Sequence, residues 1–204
     1  MSILLVRHGE TASNVARVLQ TPETPLHERG LRQASLLAPR LAQLGVEQIL
    51  CSDLTRAQMT AEPLARITGL PVVTSELLQE RNFGELRGLP YSQLGGDPFA
   101  PGFAPPGGET WEQFHARTDR AFELIVQSSA ALRGNLVVIT HGLLCWSIVN
   151  RRARMPNDAA PPGRFDNASL SILDDAPPHW VRLANCTAHL ADEDTGASPA
   201  GGAA

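Results

Sequence analysis

ILLVRHGETASN, residues Ile3 to Asn14, decides how this chain is read. Ile3, Leu4, Leu5 and Val6 form a short, wholly apolar run, the pattern of a strand covered on both faces, as in a parallel sheet flanked by helices. An arginine and a histidine follow at once, then a glycine. The polar pair therefore falls at the C-terminal end of a buried strand. In open α/β sheets ligands bind in the crevice beyond those strand ends.

The pattern recurs outward from this point. Apolar runs at Gln48 to Cys51, Pro71 to Val73 and Leu136 to Thr140 alternate with amphipathic stretches, which argues for βαβ units. A helix is expected over His27 to Leu44, with Leu31, Ala34, Ala38 and Leu41 on its apolar face and Pro39 kinking it or ending it early. Asp53 to Ile67 reads as a second helix, made irregular by Pro63. Thr110 to Ala131 is a third: Thr110 and Gln113 make a capping box, and Trp111, Phe114, Thr118, Ala121, Phe122 and Ile125 form one core-facing stripe. Ser169 to Leu173 and Trp180 to Leu183 read as two strands around a turn at Ala176 to Pro178, giving an antiparallel edge strand. The expected architecture is α/β, a three-layer sandwich with a mostly parallel central sheet and helices on both faces.

Gly95 to Gly108, GGDPFAPGFAPPGG, is too rich in proline and glycine for regular structure and reads as a surface loop able to cover a site. Residues 1 to 190 are expected to form one domain, and Ala191 to Ala204, with almost nothing to bury, a disordered tail.

Composition narrows the function. The 204 residues are 43% hydrophobic with a formal charge of -4, so neither nucleic acid nor an anionic membrane is an expected partner. No apolar segment nears the roughly 20 residues of a membrane span, and MSILLVRHG lacks the basic region of a secretory signal. Cys51, Cys145 and Cys186 are odd in number and widely spaced, which fits a reducing cytoplasm. His27, His115, His179 and His189 lack metal-ligand spacing, so no metal or other cofactor is expected.

Three further stretches put polar groups where a strand ends or a helix begins. They are CSDLTRAQMTA, with Arg56; LLQERNFGELRG, with Glu80 and Arg81; and LVVITHG, with His141 and Gly142. Arg7, His8, Arg56 and His141 should converge at one sheet edge. Cations gathered there suit a phosphate, to which backbone N–H groups at helix starts such as Gly9 and Gly142 could also donate. No P-loop motif occurs.

RHGET, SDLTRAQMTA, ERNFG and THG, in this order, resemble the motifs of the histidine phosphatase superfamily, the phosphoglycerate-mutase-like fold, from Ile3 to about Asn185. The resemblance implies that His8 is a nucleophile forming a phosphohistidine, and that Glu80 first protonates the leaving alkoxide and then activates water. Arg7, Arg56 and His141 would hold the phosphoryl oxygens. Asn14 matches a phosphate-binding position, and Gln20 one near the substrate. The two arginines would keep His8 neutral, as attack requires.

Members of such a family hydrolyse phosphoesters or act as mutases. The family's cofactor-dependent mutases carry a tyrosine, a lysine and paired arginines after ERxxG. Here those places hold Phe83, Tyr91 and a loop without arginine, so hydrolysis of a small phosphorylated metabolite is the favoured reading, with a phosphoglycerate mutase or a non-catalytic phosphate-sensing module as alternatives. Phe99, Phe103, Pro98 and Pro101 in the loop suggest a substrate with nonpolar surface. Leu143 stands where many relatives have a second glycine after THG, and its N–H should still reach phosphate. The resemblance also allows a homodimer, though no segment marks an interface.

Overall fold

A computed structural model describes residues 1–191. Six strands form one sheet in the order β3-β2-β4-β1-β5-β6. They are β1 (Ser2–Arg7), β2 (Val46–Ser52), β3 (Val72–Ser75), β4 (Asn135–Thr140), β5 (Leu170–Asp174) and β6 (Val181–Cys186). The first four run parallel, β5 pairs antiparallel with β1, and β6 antiparallel with β5. Five α-helices accompany them among the described residues: α1 (Ala12–Ala16), α2 (Glu28–Ala42), α3 (Thr55–Thr68), α4 (Trp111–Ala130) and α5 (Gly142–Arg152).

The unbroken apolar run of β1 has its explanation in the two cores. Ile3 and Leu5 face one core, where Phe114, Phe122 and Ile125 of α4 meet Leu144 and Ile148 of α5. Leu4 and Val6 face the other, against Leu37 and Leu41 of α2 and Ala57, Ala61 and Leu64 of α3. Side chains alternate across a strand, so a strand covered on both faces must be apolar throughout. This is the expected three-layer arrangement.

Register brings the strand ends level. Arg7 pairs with Thr140, Cys51 with Ile139 and Ser52 with Ser75. The residues that follow β1, β2, β3 and β4 therefore emerge on one edge.

Three sequence expectations need correction. α2 does not end at its proline, since Pro39 lies inside it; Pro63 lies inside α3. A proline removes one intrahelical bond, but burial of the opposite apolar face holds each helix together past it. Leu31 is 45% exposed, whereas Gln33 is buried in its stead. Trp111 is not core like the rest of the α4 stripe but only partly buried, because the helix starts there beside an open cavity. The Thr110–Gln113 capping box is present. The expected tail, apart from Ala191, lies outside the described residues.

Candidate active site

His8 follows β1 directly and its ring is 2% exposed. Its backbone is fixed from both neighbouring segments, its N–H donating to Thr140 O at 2.9 Å and its carbonyl accepting from Ala168 N at 3.1 Å. The ring Nδ1 lies 2.6 Å from the Gly9 carbonyl oxygen. A carbonyl can only accept, so Nδ1 carries the proton and Nε2 holds the lone pair. Burial, then Arg56 and Arg7, hold the imidazole well below its usual pKa. The ring is thus neutral at physiological pH, with the lone pair on Nε2.

The two arginines are each anchored by one arm. Arg7 Nη1 donates to the Phe165 carbonyl and Arg56 Nη1 to Thr21 O at 3.0 Å. Their Nε atoms are buried and have no hydrogen-bond partner, and the same holds for Nδ1 of His141. His141 caps the start of α5; its Nε2 sits 2.9 Å from Ser52 Oγ, and its ring lies 5.1 Å from that of His8. Burial above all, then Arg56, His8 and Arg7, pushes its pKa well down too. Buried polar atoms without partners are uncommon and costly. The three nitrogens belong to residues whose charge or ring acts on the His8 imidazole, and donors of this kind suit the oxygens of a phosphoryl group. Burial draws Arg56 down to about 10, which leaves it charged at neutral pH.

Glu80 is half-buried, while Glu76 and Glu85 beside it in sequence are exposed. Its Oε1 accepts from its neighbour Arg81 N at 3.1 Å and its Oε2 from Leu143 N at 3.2 Å, in the first turn of α5. Position 143 therefore serves the carboxylate rather than a phosphate, a correction to the sequence reading. Behind Glu80, Arg117 donates to the carbonyls of Leu77, Gln79 and Glu80, and makes a two-pronged ion pair with Glu109 at 2.7 and 2.8 Å. Glu109 Oε2 also accepts from Asn82 N. The backbone on both sides of Glu80 is clamped by this pair.

A cavity of about 860 Å³ opens above His8, lined by Arg7, Asn14, Gln20, Arg56, Glu80 and Gly142 among the residues singled out from sequence. Asn14 Oδ1 is taken up by Thr11 N, by Thr11 Oγ1 and by Asn167 Nδ2, which leaves its amide nitrogen available to an anion. Gln20 Oε1 is likewise held, 3.1 Å from Thr11 Oγ1. His141 is fully buried beside the ring of His8 and does not line the cavity.

Gly9 departs from its expected role. Its N–H donates to Thr60 Oγ1 at 3.0 Å, and so is not presented to a phosphate. What glycine provides here is room, because a Cβ would lie 2.7 Å from Gly30 O in α2. Gly142 is also a close approach: a Cβ there would stand 3.3 Å from Arg7 Nε.

The loop expected to cover the site packs against it. Arg81, 2% exposed, donates to the carbonyls of Pro98, Phe103 and Glu109 and lies 4.1 Å over the Trp111 ring. Phe99 and Pro101 line the cavity; Phe103 and Pro98 do not, and act through their carbonyls. Arg87 and Arg164 also line it, cations from outside the loop that the sequence reading did not foresee. Arg81 stood in a quoted motif, but Arg117, Glu109 and Asn167 carried no local signal.

The model for the histidine phosphatase superfamily, branch 1, matches residues 3–186. The chain belongs to that superfamily. This histidine phosphatase superfamily member is 32% identical over 206 residues to a Yersinia pestis (strain Pestoides F) protein named probable phosphoglycerate mutase GpmB, with 93% of this chain and 95% of that protein covered. Its fold is similar to the solved alpha-ribazole phosphatase of Shigella flexneri, with a TM-score of 0.79 and 27% identity over 92% of this chain and 98% of that one. It is also similar to a mycobacterial glucosyl-3-phosphoglycerate phosphatase solved with VO3, with a TM-score of 0.75 and 28% identity over 89% and 96% of the two chains. No helix among the described residues is long and apolar enough to cross a membrane.

Proposed function

We propose that this superfamily member is a phosphomonoester hydrolase that works through a phosphohistidine on His8 and acts on a small phosphorylated metabolite. The observation that supports the reading is the Nδ1 contact of His8 with Gly9 O, which leaves the Nε2 lone pair free at a site where Arg7, Arg56 and His141 each keep a buried nitrogen unpaired. The Nε2 lone pair forms a bond to phosphorus as the ester P–O bond breaks. Glu80, protonated at that stage, gives its proton to the departing alkoxide. Water then attacks the phosphohistidine, its proton passes to Glu80, and the P–N electrons return to Nε2. Inorganic phosphate and a free alcohol result. Arg7 and Arg56 neutralise the charge that builds on the phosphoryl oxygens, and Asn14 and the neutral His141 add hydrogen-bond donors. Positioned proton transfer of the kind assigned to Glu80 typically contributes about 10²–10⁴-fold.

A mutase is the second reading. Arg87 and Arg164 line the cavity and could hold a substrate carboxylate, although the 95–108 loop brings no arginine. Cys51, Cys145 and Cys186, free thiols in the structure, fit a cytoplasmic setting.

The test is to mix enzyme with a phosphoester, quench, and look for an acid-labile, base-stable adduct that His8→Ala abolishes. Release of inorganic phosphate from a metabolite panel, without added metal, supports the hydrolase. Interconversion of 3- and 2-phosphoglycerate without phosphate release would replace it with the mutase, and phosphate binding without an adduct would replace both with a sensor.

A further inference from the structure

Aromatic residues are scarce in this chain, which has six Phe, three Trp and one Tyr. Six of those ten, Phe83, Tyr91, Phe99, Trp111, Trp146 and Phe165, line the one cavity above His8. They are organised. Trp111 stacks on His115 with centroids 5.5 Å apart and 28° between planes, and both lie 6.4 Å from Trp146. Phe99 meets Phe83 edge-on at 6.2 Å and Tyr91 at 5.6 Å. The Arg81 guanidinium joins the two groups, 4.1 Å over Trp111 and 5.4 Å over Phe83. Burial keeps the pKa of His115 down, so that ring too is neutral and apolar in face.

Aromatic side chains that serve the core are fully covered here, as Phe114 and Phe122 are. Four of the six cavity rings are not: Phe99 is 40% exposed, and Tyr91, Trp111 and Trp146 are half-buried, whereas Phe83 and Phe165 are buried. A cavity of about 860 Å³ is in the range that holds a whole small molecule rather than a phosphoryl group alone. Its lining combines cations, Arg7 and Arg56 among them, with six aromatic side chains.

We infer that the alcohol portion of the substrate carries a flat aromatic or heteroaromatic ring, which stacks against the Trp111–His115–Trp146 and Phe83–Phe99–Tyr91 groups while the phosphate rests among Arg7, Arg56 and His8. This inference rests on the phosphomonoesterase reading. It names a substrate class, ring-bearing phosphomonoesters, and sets small polyol phosphates apart as poor substrates.

The test compares 3-phenylpropyl, 3-cyclohexylpropyl and propyl phosphate, in which the ester oxygen has nearly the same leaving ability and only the distal group differs. The phenyl ester should exceed the propyl ester in kcat/KM by about tenfold or more, and the cyclohexyl ester should fall between them. Trp146→Ala, and separately Phe99→Ala on the exposed loop, should shrink the phenyl-to-propyl ratio by several-fold. Equal kcat/KM for all three esters, or for phenyl and cyclohexyl, overturns the inference while leaving the phosphatase standing. Failure of every ester to phosphorylate His8 overturns both.

Discussion

Nδ1 of His8 and the carbonyl oxygen of Gly9, the next residue in the chain, are 2.6 Å apart. The proposed nucleophile is thus oriented by its own neighbour, and its tautomer is set without any acidic partner. The prediction concerns which nitrogen is phosphorylated. Phosphorus NMR of the trapped intermediate should show the Nε2 isomer alone, and His8→Gln should lose the adduct together with at least about a thousandfold of activity. Phosphorus on Nδ1 would contradict the geometry.

Arg56 offers a planar fork, with one arm spent on Thr21 O and Nε unpaired. Lysine keeps the charge but has no second donor in that plane. Arg56→Lys should therefore lower kcat by about 10²–10³, the usual cost of one oxyanion donor, and weaken vanadate as an inhibitor in parallel. A drop in kcat with vanadate affinity intact would remove Arg56 from the transition state.

His8 and His141 are both buried with pKa values pressed well below 6.5, by burial first and by Arg56 next. In the unfolded chain they take up protons near pH 6.5. Between that pH and their lower folded pKa values the unfolded state binds more protons, so stability is full above about pH 6.5 and declines as pH falls through this window. Each histidine can contribute a slope of up to about 1.4 kcal/mol per pH unit. Urea denaturation from pH 7.5 to 5 should show His8→Asn with a shallower decline than wild type; identical slopes would sink the assignment.

The Arg117–Glu109 pair grips the carbonyl of Glu80 and the N–H of Asn82. Loosening it should misplace the proposed proton donor. Arg117→Lys and Glu109→Gln should cut kcat on an alkyl phosphate by roughly tenfold to a hundredfold. On 4-nitrophenyl phosphate, whose leaving group needs no proton, the loss should be much smaller. Equal losses on both substrates would mean the pair supports only the fold.

How far sequence carried the reading depends on locality. Arg7 and His8 were legible because an apolar run ends beside them, and Arg56 and His141 because each sits within a few residues of a strand end. The mostly parallel character of the sheet followed from the same alternation, whereas its strand order did not. Arg117 was not legible: it lies on a long amphipathic helix, where an arginine is ordinarily solvated, and its partners are backbone carbonyls 37 to 40 residues earlier. The true work of Gly9 was hidden for a related reason, since the atom it makes room for, Gly30 O, belongs to another element. Pro39 misled as a helix stop because a local rule was overridden by packing on the far face of α2.

Arg81 follows Glu80 directly and holds the carbonyls of Pro98, Phe103 and Glu109. The proposed ring recognition and the proposed acid–base chemistry would in this way be mechanically joined at adjacent residues. An engineer who wished to graft a new covering loop from another relative could not treat it as an interchangeable part. The transplant would have to offer the same guanidinium three carbonyls in the same places, or the donor carboxyl next door would drift with it.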